Sequence, residues 1–505
     1  MFASVNSAVP IAAHGQPVAV EVSLAKGLPA FNIVGRPDDA VREARDRVRA
    51  ALESAGFDWP DRRVTVSLVP SQERKTGSGL DLPIALGILA ALEEVPKESL
   101  ERRAAIGELG LDGSIRGVRG VAPMVASLGE VEVVVPLANA LEAAVAAPGR
   151  PRFVTNLSEV IGALRQQVPW PDHEPPLVVD DHEATPDLAD VRGQAMARRA
   201  LEVAAAGGHH LLFIGPPGSG KTMLASRLPG LLPALDDERA LETTMIHSVA
   251  GIPLPSSGLV RRPPYRAPHH TASQMSIVGG GSSFIRPGEV SLANGGVLFL
   301  DELAEFNPGA LDSLREPLEE GTVRVSRVES RLTVPARVQL VAAMNPCPCG
   351  GGAPGSCTCG DQQRRRYLGR VSGPLLDRFD LRVRVERPDV DDILGDSAGE
   401  SSALVAHRVE VARATATERQ GSLNAQLKVR DLDRFAPVDG TARAVLRHEM
   451  EKDRLSGRGY HRLRRVARTI ADLSGGGEIV GEVHVSLALH LRTTLADRRH
   501  LSVAA

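Results

Sequence analysis

Apolar residues recur along this chain with two different periods, and the change from one to the other divides it. In PVAVEVSLA (17–25) and RRVTVSLVP (62–70) every second residue is apolar, the mark of a strand with one buried face. Between them, PDDAVREARDRVRAALESAG (37–56) has helical spacing, with Asp38 placed to cap the first turn and Gly56 to end the last. LDLPIALGILAALEEV (80–95) is apolar nearly all round, which predicts a helix buried on every side. EVEVVVP (130–136) predicts a further strand, so residues 1–167 read as one mixed α/β unit. The stretch 168–190 is rich in Pro and acid without a sustained period, which predicts an exposed linker. From 191 to 385, short apolar runs alternate with helical spacing and glycine-rich loops, as in a largely parallel sheet. Residues 386–505 become helical, in ARAVLRHEMEKDRL, YHRLRRVARTIADLSG and EVHVSLALHLRTTLADR.

Length and charge narrow the function. No run in the 505 residues approaches the ~18 apolar positions of a membrane span. The first residues lack a basic segment followed by an apolar one, which points to the cytoplasm. A net charge of −3, from 59 basic and 62 acidic residues, excludes a polycation that coats nucleic acid by bulk charge. With 3% aromatic residues there are few rings on which bases could stack, so any DNA contact falls to arginines and backbone groups. The best local basic surface is GTVRVSRVESRLTVPARV (321–338), a predicted hairpin bearing Arg324, Arg327, Arg331 and Arg337. The plainer reading is a charged hairpin protecting a sheet edge.

The sharpest chemical signal is GPPGSGKT: Gly215, Pro216, Pro217, Gly218, Ser219, Gly220, Lys221 and Thr222. It matches the phosphate-loop pattern at every position, after the apolar run HHLLFI and before MLASRLPGLL, which predicts a helix. Glycines there let backbone N–H groups turn toward phosphates. Lys221 would pair with the β- and γ-phosphates of ATP, and Thr222 would ligate Mg²⁺. GGVLFLDEL (295–303) is the buried strand that must follow, ending in Asp301 for the Mg²⁺ and Glu302 to deprotonate the attacking water. VQLVAAMN (338–345) puts Asn345 at a third strand end, where an amide can hold that water or sense the γ-phosphate. Arg378, in GPLLDRFDLRV, reads equally as an arginine supplied to a neighbouring subunit's phosphoryl transfer or as part of an Asp377–Arg378–Asp380 surface cluster.

All four cysteines, Cys347, Cys349, Cys357 and Cys359, stand as two C-x-C pairs around a glycine-rich turn. Four thiolates on a small loop suit tetrahedral Zn²⁺, the alternatives being four reduced thiols or a redox-labile loop. His269 and His270 are adjacent, so in a strand they would point to opposite faces, which reads as a satisfied or DNA-facing polar pair ahead of a metal pair. His209 and His210 abut the phosphate-loop strand and read as structural.

GPPGSGKT, YRAPHHTAS, GGGSSFIRPGEVSLANGGVLFLDEL, NPCPCG and SGPLLDRFDL, in this order, resemble the ComM/YifB family of magnesium-chelatase-like AAA+ ATPases over nearly the whole chain. The resemblance implies an α/β domain similar to Lon protease and ribosomal protein S5 (1–167), the linker (168–190), an AAA+ core with channel loops and the cysteine loop (191–385), and a helical lid (386–505). It implies a homo-hexameric ring motor using ATP and Mg²⁺, with DNA branch migration as its work. It makes Asn345 sensor 1, Arg378 the arginine finger acting in trans, and Arg458 sensor 2, ahead of Arg462 and Arg465. Residues 267–290 and the hairpin 321–338 would face the ring channel. The Lon-like layout lacks its Ser–Lys dyad, because Gly79 stands at the nucleophile position with Ser78 one residue off, so no protease activity is expected. Two rival classes remain open: a motor for metal insertion into a tetrapyrrole, and a nucleotide-gated protein remodeller or scaffold.

Overall fold

In the computed structural model, which describes residues 1–492 except 72–73, 175–184, 282–284, 327–330, 352–356, 390, 392–398 and 476, the alternating and the wholly apolar segments build separate sheets. The first has seven strands, in the order Ala30–Val34, Arg63–Val69, His14–Ala25, Phe2–Ile11, Arg103–Ala105, Glu132–Pro136 and Pro151–Val154. Its centre is the antiparallel pair Phe2–Ile11 and His14–Ala25, and parallel strands extend it beyond Phe2–Ile11. The all-apolar segment forms the helix Asp81–Ala91, buried at every residue. It packs so closely that a Cβ on Gly87 would lie 2.6 Å from Val22 Cγ2. The predicted helix at 37–56 is broken into Asp39–Arg42 and Ala44–Ser54, with Asp38 accepting from the Val41 N–H at 2.9 Å. Ser78 Oγ donates to the Glu108 carboxylate, and the fully buried Lys75 donates from Nζ to the Pro70 carbonyl.

The second sheet is entirely parallel, in the order Tyr265–Arg266, Val297–Leu300, Gln339–Met344, Leu211–Ile214 and Leu381–Arg384. Its three central strands are buried throughout, as their uninterrupted apolar runs require. The C-terminal helices Ser402–Gln420, Gly440–Glu451, Gly457–Leu473 and Glu482–His490 close one face. Val405, Leu446, Val466 and Val485 share one apolar core with Phe213, Phe299 and Val341 of the sheet. Within that layer Arg468, fully buried, lies 2.8 Å from Asp472, which also receives Arg419 at 2.7 Å and the Asn424 amide.

The two sheets are joined through side chains. Ala12 and Ala13 of the first hairpin pack with Ile246, Ile285, Leu292 and Val334 of the nucleotide-binding unit. The Gly120 N–H donates to Ser248 O at 3.1 Å, and the buried Glu142 carboxylate accepts from Ser248 Oγ and from the Ala122 N–H. The stretch 168–190 is tied down at both ends, where its composition predicted exposure. Trp170 packs on the first core, with Arg103 5.7 Å from its ring, and Leu188 is buried in the second core. Its middle, 175–184, lies outside the described residues.

The predicted hairpin consists of Thr322–Ser326 paired antiparallel with Arg331–Pro335. Its basic surface is smaller than the sequence suggested. Arg324 pairs with Glu320 at 2.6 Å and Arg337 with Glu242 at 3.5 Å. Arg327 and the side chain of Arg331 lie outside the described residues. No described helix is long and apolar enough to cross a membrane.

Candidate nucleotide site and its neighbours

The phosphate loop leaves the carboxyl end of Leu211–Ile214, the strand between Gln339–Met344 and Leu381–Arg384. Gly218 and Gly220 adopt φ of +75° and +84°, which a side chain would strain. Gly215 needs its hydrogen for space, since a Cβ would sit 2.0 Å from Val385 O. Ser219 Oγ is buried without a hydrogen-bond partner. The helix that follows is shorter than predicted: it runs Lys221–Ala225 and passes into a 3₁₀ turn at Leu228–Leu231, where Pro229 removes a donor.

Three strand ends converge on this loop. Lys221 Nζ donates to the Gly215 and Pro216 carbonyls at 2.8 Å and to Asn345 Oδ1 at 3.3 Å. Burial lowers the Lys221 pKa, against the opposing charges of Asp301 and Glu302. Thr222 Oγ1 donates to Asp301 Oδ2 at 2.6 Å, so two hard oxygens stand together as Mg²⁺ requires. Pro217, Asp301, Glu302 and Asn345 help line a cavity of about 490 Å³, within the range of small-ligand sites.

Glu302 has φ +52°, a left-handed conformation that costs a non-glycine residue about 1–3 kcal/mol and is found where function demands it. Its carboxylate lies 3.1 Å from His270 Nδ1. This contact was missed in the sequence. His269 and His270 sit at a turn rather than in a strand, and their rings lie 4.1 Å apart, so they do not diverge to opposite faces. Only the parallel pairing of Tyr265–Arg266 with Val297–Leu300 brings His270 to Glu302, and no local pattern encodes it. His209 and His210 are structural: His209 bonds Asp380 at 3.0 Å and Thr469 at 2.8 Å, and His210 Nδ1 accepts from the Leu340 N–H. Burial pushes the His210 pKa down to about 4.

Arg378 lies at the opposite end of the sheet. It is one of the linings of a cavity of about 520 Å³ beside the amino ends of the strands, shared with Arg413, Arg462 and Arg465. The Asp377–Arg378–Asp380 cluster does not form. Arg378 pairs with Glu319, Asp377 with Arg382 at 3.6 Å, and Asp380 with His209 and with Arg462 at 3.2 Å. Burial opposes the charge on Asp380, but the His209 hydrogen bond and Arg462 outweigh it and hold the pKa at about 2. Nε of Arg378 and Nε of Arg465 are buried without hydrogen-bond partners. Arg458 is exposed on the first turn of Gly457–Leu473 and lines neither cavity.

The cysteine loop begins two residues after Asn345. Its four Sγ atoms lie within 4.8 Å of one another. Cys347 is 3.4 Å from Cys349 and 3.5 Å from Cys357.

A parallel sheet in this order, with a phosphate loop after the strand next to one edge and an acidic pair on the next strand but one, defines a P-loop protein of the AAA+ class. Residues 187–393 match the family described as magnesium chelatase, subunit ChlI; residues 20–139 match subunit ChlI of Mg-chelatase, and 399–492 its C-terminal part. An uncharacterized protein of Mycobacterium tuberculosis is 44% identical over 497 residues, covering 96% of this chain and 97% of its own. Competence protein ComM of Haemophilus influenzae is 43% identical over 493 residues, 96% of each chain. The uncharacterized protein YifB of Escherichia coli is 40% identical over 495 residues, 97% of this chain and 96% of its own. The chain belongs to the ComM/YifB family of magnesium-chelatase-like proteins.

Proposed function

We propose that this chain is the protomer of an ATP-hydrolysing ring motor, a cytoplasmic homo-hexamer that works on DNA. The observation that carries the reading is that the site is split. The phosphate loop lies at the carboxyl ends of the strands, and the arginines with unpartnered buried N–H groups lie at the amino ends. A four-residue strand spans about 13 Å. An arginine side chain reaches roughly 7 Å, from six bonds of about 1.5 Å. Arg378 therefore serves the nucleotide of an adjacent protomer. Arg462 and Arg465, beside it, are better placed than Arg458 to join it as sensor 2.

Within one protomer, Lys221 leaves its loop carbonyls for the β- and γ-phosphates. Thr222 and Asp301 would hold Mg²⁺, which neutralises charge on those phosphates when bound. Glu302, oriented by its left-handed backbone and by His270, accepts the proton of the attacking water, and Asn345 fixes that water. The cysteine loop holds one Zn²⁺.

The DNA substrate is supported by the kinship with a competence protein, with branch migration as the expected work. Steady-state ATPase should be measured without DNA and with single strand, duplex, fork and four-way junction, at two salt concentrations. Stimulation by the junction that weakens steeply with salt is expected. ATPase indifferent to every DNA would remove the DNA reading and leave metal insertion or protein remodelling.

A further inference from the structure

The cysteine loop touches the nucleotide site at three points. It starts from the strand Gln339–Met344, whose next residue, Asn345, bonds Lys221. In its middle, Gly350 has φ +77° and lies against the phosphate loop, so that a Cβ there would be 2.5 Å from Pro217 Cδ. Beyond Cys359, the helix Asp361–Leu368 returns Tyr367 into the same core as Met344, the residue before Asn345.

We propose that a single Zn²⁺ in this four-cysteine knuckle braces the nucleotide site, so that metal loading sets how well the chain holds ATP. The sulfur geometry fits one ion. With Zn–S bonds of about 2.3 Å, a tetrahedral centre keeps its sulfurs about 3.8 Å apart. The closest pairs here lie at 3.4 and 3.5 Å, far beyond the length of a disulfide bond. Two sulfurs come from residues 347–349 and two from 357–359, so the ion ties the segment carrying Asn345 to the segment leading to Tyr367. Without it, Cys347–Gly350 loses its link to Cys357 and Cys359, and both the Pro217 contact and the amide of Asn345 lose their support. The metal acts on nucleotide through position, without touching it.

The inference rests on the nucleotide reading above only in its second readout. Full-length protein is purified, its metal is measured by mass spectrometry, and a fluorescent ATP analogue is titrated. About one zinc per chain is expected. Cys357→Ser with Cys359→Ser should lose the zinc and weaken the analogue by about tenfold or more, the scale of effect that small misplacements produce. Gly350→Ala keeps all four ligands. It should retain zinc and still weaken the analogue, because its methyl group displaces Pro217; if the double variant fails to fold, the analogue is titrated on wild-type protein stripped of zinc by a chelator, which should bind it about tenfold more weakly, with unchanged affinity overturning the proposal. No stoichiometric metal, iron in place of zinc, or wild-type affinity in Gly350→Ala overturns the proposal. A wild-type chain that holds zinc but no analogue overturns the ATPase reading with it, whereas tight analogue binding without zinc overturns the brace alone.

Discussion

Arg378→Ala, mixed with Lys221→Ala, tests the split site most directly. Each variant alone lacks one half of every catalytic centre. The loss expected for removing a trans arginine is about 10³-fold or more, roughly 4 kcal/mol of transition-state stabilisation. In an equal mixture that assembles at random, a centre works when an Arg378→Ala protomer supplies the phosphate loop and a Lys221→Ala protomer supplies the arginine. That combination occurs at about a quarter of the interfaces of a closed ring, so turnover per chain should recover to about a quarter of wild type. Phosphate release is followed as one variant is titrated into the other, with co-assembly checked through a tag on one partner. Mixed rings that stay inactive would refute the reasoning, as would an Arg378→Ala protein with full activity. The geometry permits no compromise, because Arg378 faces the cavity at the amino ends of the strands and its own phosphate loop leaves the other end.

Glu302→Gln should bind an ATP analogue at wild-type affinity and lose turnover, checked by titration beside phosphate release. His270→Ala, which removes the 3.1 Å partner of Glu302, should lower kcat about tenfold and leave KM nearly unchanged, and an unaltered kcat would remove His270 from the mechanism. Asp380→Ala takes the carboxylate from buried His209 and half-buried Arg462 and should destabilise the nucleotide-binding unit by about 3 kcal/mol in chemical denaturation. The same group gives the fold an acid limit. Its pKa falls from 3.8 to about 2 on folding, so its contribution of about 2 kcal/mol is present above pH 4 and is lost as pH drops toward 2; unfolding followed across that range should show a steeper decline in wild type than in Asp380→Asn.

The phosphate loop and the acidic strand end beside it were legible because their rules are local. Gly215 to Thr222 must turn the backbone inward, and the run before Asp301 must be buried on both faces. Asn345 followed from the same logic, and its amide does meet Lys221. What escaped depends on neighbours far apart in sequence. His270 reaches Glu302 only because a two-residue strand pairs beside Val297–Leu300. Arg462 and Arg465 meet Arg378 because the helix Gly457–Leu473 packs over the amino edge of the sheet, which no spacing within YHRLRRVARTIADLSG discloses. Charge counting misled for a related reason. Arg324 and Arg337 look like a basic face in sequence, yet the acids that neutralise them include Glu320 just before the hairpin and Glu242 from a distant helix.

The seam between the two sheets bears on how the protein can be cut. Ala12 and Ala13 cover Ile246 and Val334, and Glu142 and Gly120 grip Ser248. The front domain is thus a lining of the engine rather than an attachment to it. A shortened version starting at the phosphate-loop unit would expose apolar surface at Ile246 and Val334, and would be prone to clump before it could be assayed. The helix Asp237–Ala250 thus belongs to the packing of both sheets at once.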